Sequence, residues 1–147
     1  MLTRTNAVDI LLIEDNSGDV GLIREALAGS GIAVNLHVTA DGDQAMAFLR
    51  RQPPFEIASR PDLVLLDLNL PRRSGREVLA AIKSDRDLWS IPVVVLTASE
   101  SDRDITDVYD LRTNSFVTKP VHVDAYLATV NAIVDYWFRV VRLPQKA

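Results

Sequence analysis

The 147-residue sequence predicts a doubly wound α/β fold with a parallel sheet, and three observations predict it. Five short β-branched or aliphatic runs recur along the chain. Stretches with helical spacing of apolar residues separate them. Several of the runs are almost wholly apolar, as strands covered by helices on both faces must be. Five strand-helix units in succession call for right-handed crossovers, and no repeat or low-complexity tract interrupts them.

The first strand is expected at residues 9–13, followed by capping candidates Asn16 and Ser17 and a helix bearing Val20, Ile23, Ala26 and Leu27. Residues 34–38 form the second strand. Asp41-Gly42-Asp43 then opens a helix with Ala45, Met46, Phe48 and Leu49 on one side. The stretch from Arg51 to Asp62, with Pro53, Pro54 and Pro61, is a surface connection to the third strand at 63–66. Val78, Leu79 and Ile82 stripe a third helix after Gly75. The fourth strand is expected at 93–96. After Ser99 comes a mostly solvated helix, in which Asp102, Arg103, Asp104, Asp107 and Asp110 surround Ile105, Val108 and Leu111. A fifth strand at 115–118 leads past Pro120 into a last helix over about 122–142. Its apolar side carries Tyr126, Leu127, Val130, Ile133, Val134, Trp137 and Val141. The length suits one domain over 1–147.

Composition narrows the function. With 48% hydrophobic and 24% charged residues the chain reads as a soluble globular protein. A net charge of -4 argues against nucleic acid as a partner. The absence of cysteine excludes disulfides, thiolate metal sites and a cysteine nucleophile, and fits a reducing cytoplasm. The apolar run before Glu14 is too short for a signal-peptide core or a membrane span, so a cytoplasmic protein with no membrane partner is expected.

In open α/β sheets the ligand site lies beyond the carboxyl ends of the strands. Here those ends carry Glu14-Asp15, Asp67, Thr97 and Lys119-Pro120. Glu14-Asp15-Asn16 alone could be a helix-capping turn, and Asp67 alone a loop residue. Together, three carboxylates in one crevice would repel one another without a cation, and hard oxygen ligands in that number suit Mg²⁺. Lys119 would then supply a point charge for a phosphoryl oxygen and Thr97 a hydrogen bond, making an aspartyl phosphate on Asp67 the natural product.

The segments ILLIEDN, PDLVLLDLNLP, IPVVVLTAS and NSFVTKP resemble, in order and spacing, the signatures of the response-regulator receiver family, and the likeness runs from Val8 to about Tyr136. The resemblance implies a flavodoxin-like receiver fold with five helices and strand order 2-1-3-4-5. It implies Asp67 as phosphoacceptor, assisted by Thr97 and Lys119. Mg²⁺ would be held by Glu14, Asp15, Asp67 and the main-chain carbonyl of Asn69, Asp15 directly and Glu14 through water. Thr97 and Phe116 would form the switch pair. A cis peptide before Pro120 is also implied. Such a chain is a signalling protein rather than an enzyme, although it assists its own Mg²⁺-dependent phosphorylation and dephosphorylation.

Three positions depart from the pattern. Arg112-Thr113 stands where receivers often have Gly-Ala, and Phe116 lacks the hydroxyl of the tyrosine common at its place. The longer connection before Pro61 and the run GREVLAAIKSD look most like stand-alone regulators that serve phytochrome-type histidine kinases, which makes a sensor histidine kinase the expected partner.

The alternative is a receiver-like interaction module that works without phosphorylation. A nucleotide-binding enzyme is disfavoured by the absence of G-x-G-x-x-G and G-x-x-x-x-G-K-[ST], and an aspartyl phosphatase by Asn69 where a second Asp would stand. His37 and His122 show no metal-ligand spacing; they read as a strand side chain and a residue near the start of the last helix. Tyr136, Trp137, Phe138, Val140, Val141 and Leu143 are too apolar for a solvated helix end. They either fold back on their own domain or, the favoured expectation, build a homodimer contact.

Overall fold

The computed structural model describes residues 7–144. Five parallel strands, β1 (Val8–Ile13), β2 (Val34–Thr39), β3 (Leu63–Leu66), β4 (Val93–Thr97) and β5 (Ser115–Thr118), form one sheet in the order β2-β1-β3-β4-β5. Strand order reverses between β1 and β3, and the crevice at their carboxyl ends is where an open α/β sheet offers a site. Helices α1 (Ser17–Ala28), α2 (Gly42–Leu49), α3 (Gly75–Ser84), α4 (Asp102–Asp110) and α5 (Val123–Asp135) connect and follow the strands.

Period-two alternation divides the sheet between two cores. Ile10, Leu12, Leu63, Leu65, Val94 and Leu96 face α1 and α5, where Ile23, Leu27, Val130 and Val134 meet them. Leu11, Ile13, Val64, Leu66, Val93 and Val95 face the other way, against Met46, Leu79, Ile82 and Val108. All four residues of β3 are buried, so the strand ending in Asp67 has no side that solvent can loosen.

The starts of α1 to α4 are fixed locally by side-chain caps, whereas His122 before α5 makes no such bond. Asn16 accepts from the Asp19 N–H at 3.0 Å, Asp41 from that of Gln44 at 2.8 Å and Ser101 from that of Asp104 at 3.3 Å. Ser74 and Glu77 complete a capping box on α3. Gly75, the first residue of α3, donates its N–H to the Leu68 carbonyl at 3.0 Å, and a β-carbon there would lie 2.4 Å from the Asp67 carbonyl oxygen. Only a glycine lets α3 approach the acceptor loop so closely.

At its far end α4 closes in a Schellman arrangement, with Arg112 N–H on the Tyr109 carbonyl and Thr113 N–H on that of Val108. Arg112 takes the left-handed position, at φ 71°, which explains why glycine suits that place. As the sequence suggested, α4 is mostly solvated, with Val108 its buried residue.

The peptide bond before Pro120 is not cis; among the described residues the cis bond is Pro53–Pro54. This corrects the expectation for Pro120. The two isomers of an X-Pro bond differ by only about 0.5–1 kcal/mol, so the surrounding chain decides, and here Lys119 N–H reaches the Thr97 carbonyl at 2.7 Å with the trans bond.

Beyond α5 the chain makes a π turn over Tyr136–Val140, closed by Val141 N–H on the Tyr136 carbonyl. Trp137 and Phe138 pack against the α1-α5 core, whereas Tyr136 and Val140 stay exposed at 51% and 69%. Among the described residues no helix is long and apolar enough to cross a membrane.

Candidate phosphorylation site

The carboxyl ends of β1, β3, β4 and β5 deliver their side chains to one place. Glu14 is buried and Asp15 exposed, which follows from consecutive residues leaving a strand on opposite sides. Glu14, Asp15 and Asp67 each present a carboxylate oxygen within 4.8 Å of the others.

Asp67 is held at both oxygens. Its Oδ1 accepts from the Thr97 hydroxyl at 2.9 Å and from the Asn69 N–H at 3.2 Å, and its Oδ2 from Lys119 Nζ at 3.0 Å. Burial alone would raise its pKa, but the charge and hydrogen bond of Lys119, with those from Asn69 and Thr97, outweigh it and hold the carboxyl below the ordinary aspartate value. Asp67 is thus an oriented anion, the form a nucleophile needs.

Lys119 Nζ also donates to Glu14 Oε1 at 2.7 Å and to Asp19 Oδ2 at 2.8 Å. Burial acts against its charge, yet three carboxylates lift its pKa above the ordinary lysine value. Glu14 Oε2 accepts from the Asn16 N–H at 3.2 Å; burial nevertheless pushes this carboxyl up to about 7, with Asp67 adding to the effect and Lys119 opposing it. Glu14, Asp19 and Asp67 thus share the Lys119 ammonium, and the exposed Asp15 lies beside Glu14 and Asp67. That excess of hard oxygen donors over positive charge fits a divalent cation.

Thr97 already touches Asp67 in this state, so its hydroxyl need not travel far to meet a group added there. Phe116 stands apart from the cluster on β5. Its half-buried ring packs on the core beside α4, and its N–H donates to the Tyr109 hydroxyl at 3.2 Å. The side chain at position 116 lacks a phenol, but Tyr109 brings one to its backbone. His37 pairs with Asp9 at 3.1 Å and His122 stands at the start of α5, both outside the site.

Two residues were not singled out by the sequence as site residues. Asp19 could have been suspected from its place three residues after the Asn16 cap, in the turn of α1 that opens at the strand end. Tyr126 reads as part of an apolar stripe, yet its hydroxyl is buried with no hydrogen-bond partner among the described residues. Beside the site, Arg76 of α3 pairs with Asp104 and, at 3.2 Å, Asp107 of α4, while Asp104 also accepts from Ser99.

Comparison with known proteins agrees with this geometry. The sequence profile of the response regulator receiver domain matches residues 10–131. Response regulator Rcp1 of Synechocystis sp. is 45% identical over 135 residues, 92% of each chain. Among solved structures, the phosphorylated cyanobacterial phytochrome response regulator RcpA superposes with a TM-score of 0.92 at 46% identity, covering 95% of this chain and 99% of that one. The Mn²⁺-bound form of Rcp1 gives 0.90 at 44% identity, covering 94% and 99%. Sequence profile, strand order and the acidic crevice agree, and the chain belongs to the response regulator receiver domain family.

Proposed function

We propose that the chain accepts a phosphoryl group on Asp67 from a sensor histidine kinase of the phytochrome type and in that state changes its contacts with other proteins. The observation that carries this is the setting of Asp67: Thr97 and Asn69 fix one oxygen, Lys119 the other, and the Glu14-Asp15 pair lies beside them. Likeness to Rcp1 and to RcpA, both response regulators and the latter a phytochrome one, supports the choice of kinase.

In this reading a carboxylate oxygen of Asp67 attacks the phosphorus of a phosphohistidine, the O–P bond forms, the P–N bond breaks, and the histidine nitrogen keeps the electron pair. Lys119 offsets charge on the moving group and Thr97 donates to one of its oxygens, so positioning and electrostatics do most of the work. Glu14, Asp15, Asp67 and the Asn69 carbonyl would hold Mg²⁺, which when bound supplies positive charge to the phosphoryl oxygens. The cysteine-free composition suits a cytoplasmic protein.

Replacing Asp67 with Asn is expected to abolish labelling by acetyl phosphate or a cognate kinase, and chelation of divalent metal to do the same. Full labelling of Asp67→Asn would overturn the assignment.

The exposed Tyr136 and Val140 support a homodimer contact at the end of α5, since Trp137 and Phe138 beside them are already spent on the protein's own core. Sedimentation of Tyr136→Glu/Val140→Glu should give a monomer where the wild type gives a dimer. Equal mass for both would exclude this surface.

A further inference from the structure

Lys119 has one carboxylate partner more than the metal crevice accounts for. Glu14 and Asp67 belong to the set that fits a cation, whereas Asp19 lies outside it. Asp19 is anchored through its N–H to Asn16, and its carboxylate points from the first turn of α1 to an ammonium 100 residues away. With Glu14 and Asp67 drawn to a cation, Asp19 would remain for Lys119 as the acceptor outside the cation's set.

Tyr126 supplies the second observation. It stands on α5, which packs on α1, the helix that carries Asp19, and is only 3% exposed. Its hydroxyl has no hydrogen-bond partner among the described residues. Burial first, and then the charge of Asp19, push the phenol above the ordinary tyrosine value; Glu14, Asp67 and Lys119 act on it as well. A buried hydroxyl left unpaired is costly, so its partner is to be sought in another state of the same site.

Resting on the reading of Asp67 as phosphoacceptor, we infer that Asp19 is a positioning residue that holds Lys119 over Asp67, and that the Tyr126 hydroxyl donates to the Asp19 carboxylate once the ammonium moves onto the phosphoryl group. No bond is made or broken covalently. Asp19 exchanges an ion pair for a charge-assisted hydrogen bond and stays anionic; Tyr126 stays neutral. Helix α5 thereby gains a contact with the site only in the phosphorylated state, by a route separate from Thr97 and Phe116.

The test uses the full chain with Asp19→Ala, Asp19→Glu, Tyr126→Phe and the double variant Asp19→Ala/Tyr126→Phe. Beryllofluoride with Mg²⁺ serves as phosphoryl mimic in calorimetric titration, and acetyl phosphate as donor. Tyr126→Phe should keep or raise the urea midpoint of the free protein while weakening beryllofluoride binding about tenfold, and that loss should fall below about twofold in the Asp19→Ala background. Asp19→Ala should slow labelling about tenfold at saturating acetyl phosphate, a change in kcat rather than KM, with Asp19→Glu restoring most of it. Unchanged beryllofluoride affinity in Tyr126→Phe, losses that multiply in the double variant, or wild-type labelling of Asp19→Ala would each overturn the inference while leaving Asp67 as acceptor. A wild-type chain that takes neither label nor beryllofluoride would instead overturn the reading of Asp67, and this inference with it.

Discussion

An alanine at position 75 would put its methyl group 2.4 Å from the Asp67 carbonyl oxygen and 2.5 Å from the Leu68 Cα. Both distances fall about 1 Å short of ordinary contact, and both neighbours are backbone atoms that cannot rotate away. Either α3 retreats, stretching the Gly75 N–H bond to Leu68, or the Asp67-Leu68 segment shifts. Overpacking of this kind typically costs about 1–3 kcal/mol, and the better helix propensity of alanine recovers only a fraction of that. A net loss of about 2 kcal/mol is expected, lowering Tm by about 4–8 °C for a chain of this size. Because the displaced residue carries the acceptor carboxylate, labelling of Asp67 should slow by about a hundredfold, the consequence of an ångström misplacement. Urea denaturation without phosphodonor measures the first effect and initial labelling rates the second. Gly75→Ala within 0.5 kcal/mol of wild type in stability, with an unchanged labelling rate, would refute the claim that close backbone approach fixes the acceptor; such a difference is no larger than an ordinary surface substitution gives, about 0.5 kcal/mol.

The same substitution at Gly21 should act in the opposite direction. Nothing lies within 4 Å of a β-carbon there in the middle of α1, so Gly21→Ala should stabilise by about 0.5–1 kcal/mol in urea denaturation, and a loss would contradict the open space around it. Arg112→Gly relieves a left-handed residue at the end of α4, at φ 71°, and should raise stability by about 1 kcal/mol and Tm by about 2–4 °C in a thermal melt; an unchanged or lower Tm would show that Arg112 makes compensating contacts.

The strands were legible because runs such as VDILLI, LVLL and VVVLT have no polar face, and a buried parallel sheet is the arrangement that uses them fully. The strand ends then placed Glu14, Asp15, Asp67, Thr97 and Lys119 together, since topology alone brings those ends to one edge. Asp19 was harder to read. Its role depends on the direction of one helical turn relative to a lysine on β5's far end, and spacing along the chain carries no trace of that. Tyr126 hid for a different reason: six carbons of ring satisfy an apolar stripe whether or not the hydroxyl has a partner. The isomer before Pro120 turns on about 0.5–1 kcal/mol, which local sequence does not decide. The π turn after Asp135 likewise has no signature in YWFRV, whose Trp137 and Phe138 pack on the core.

The bond from the Phe116 N–H to the Tyr109 hydroxyl also bears on how molecules of this protein meet one another. β5 is the outermost strand on its side, four residues long, and an outer strand offers its amides as a template on which a foreign strand can add. Here one of those amides is covered by a side chain from the neighbouring helix. Growth of the sheet from copy to copy would first have to lift Tyr109 away, which guards the concentrated protein against aggregation through this edge. A partner docking on the same flank meets a phenol and an aromatic ring rather than bare backbone, so it must recognise side-chain shape there instead of extending the sheet.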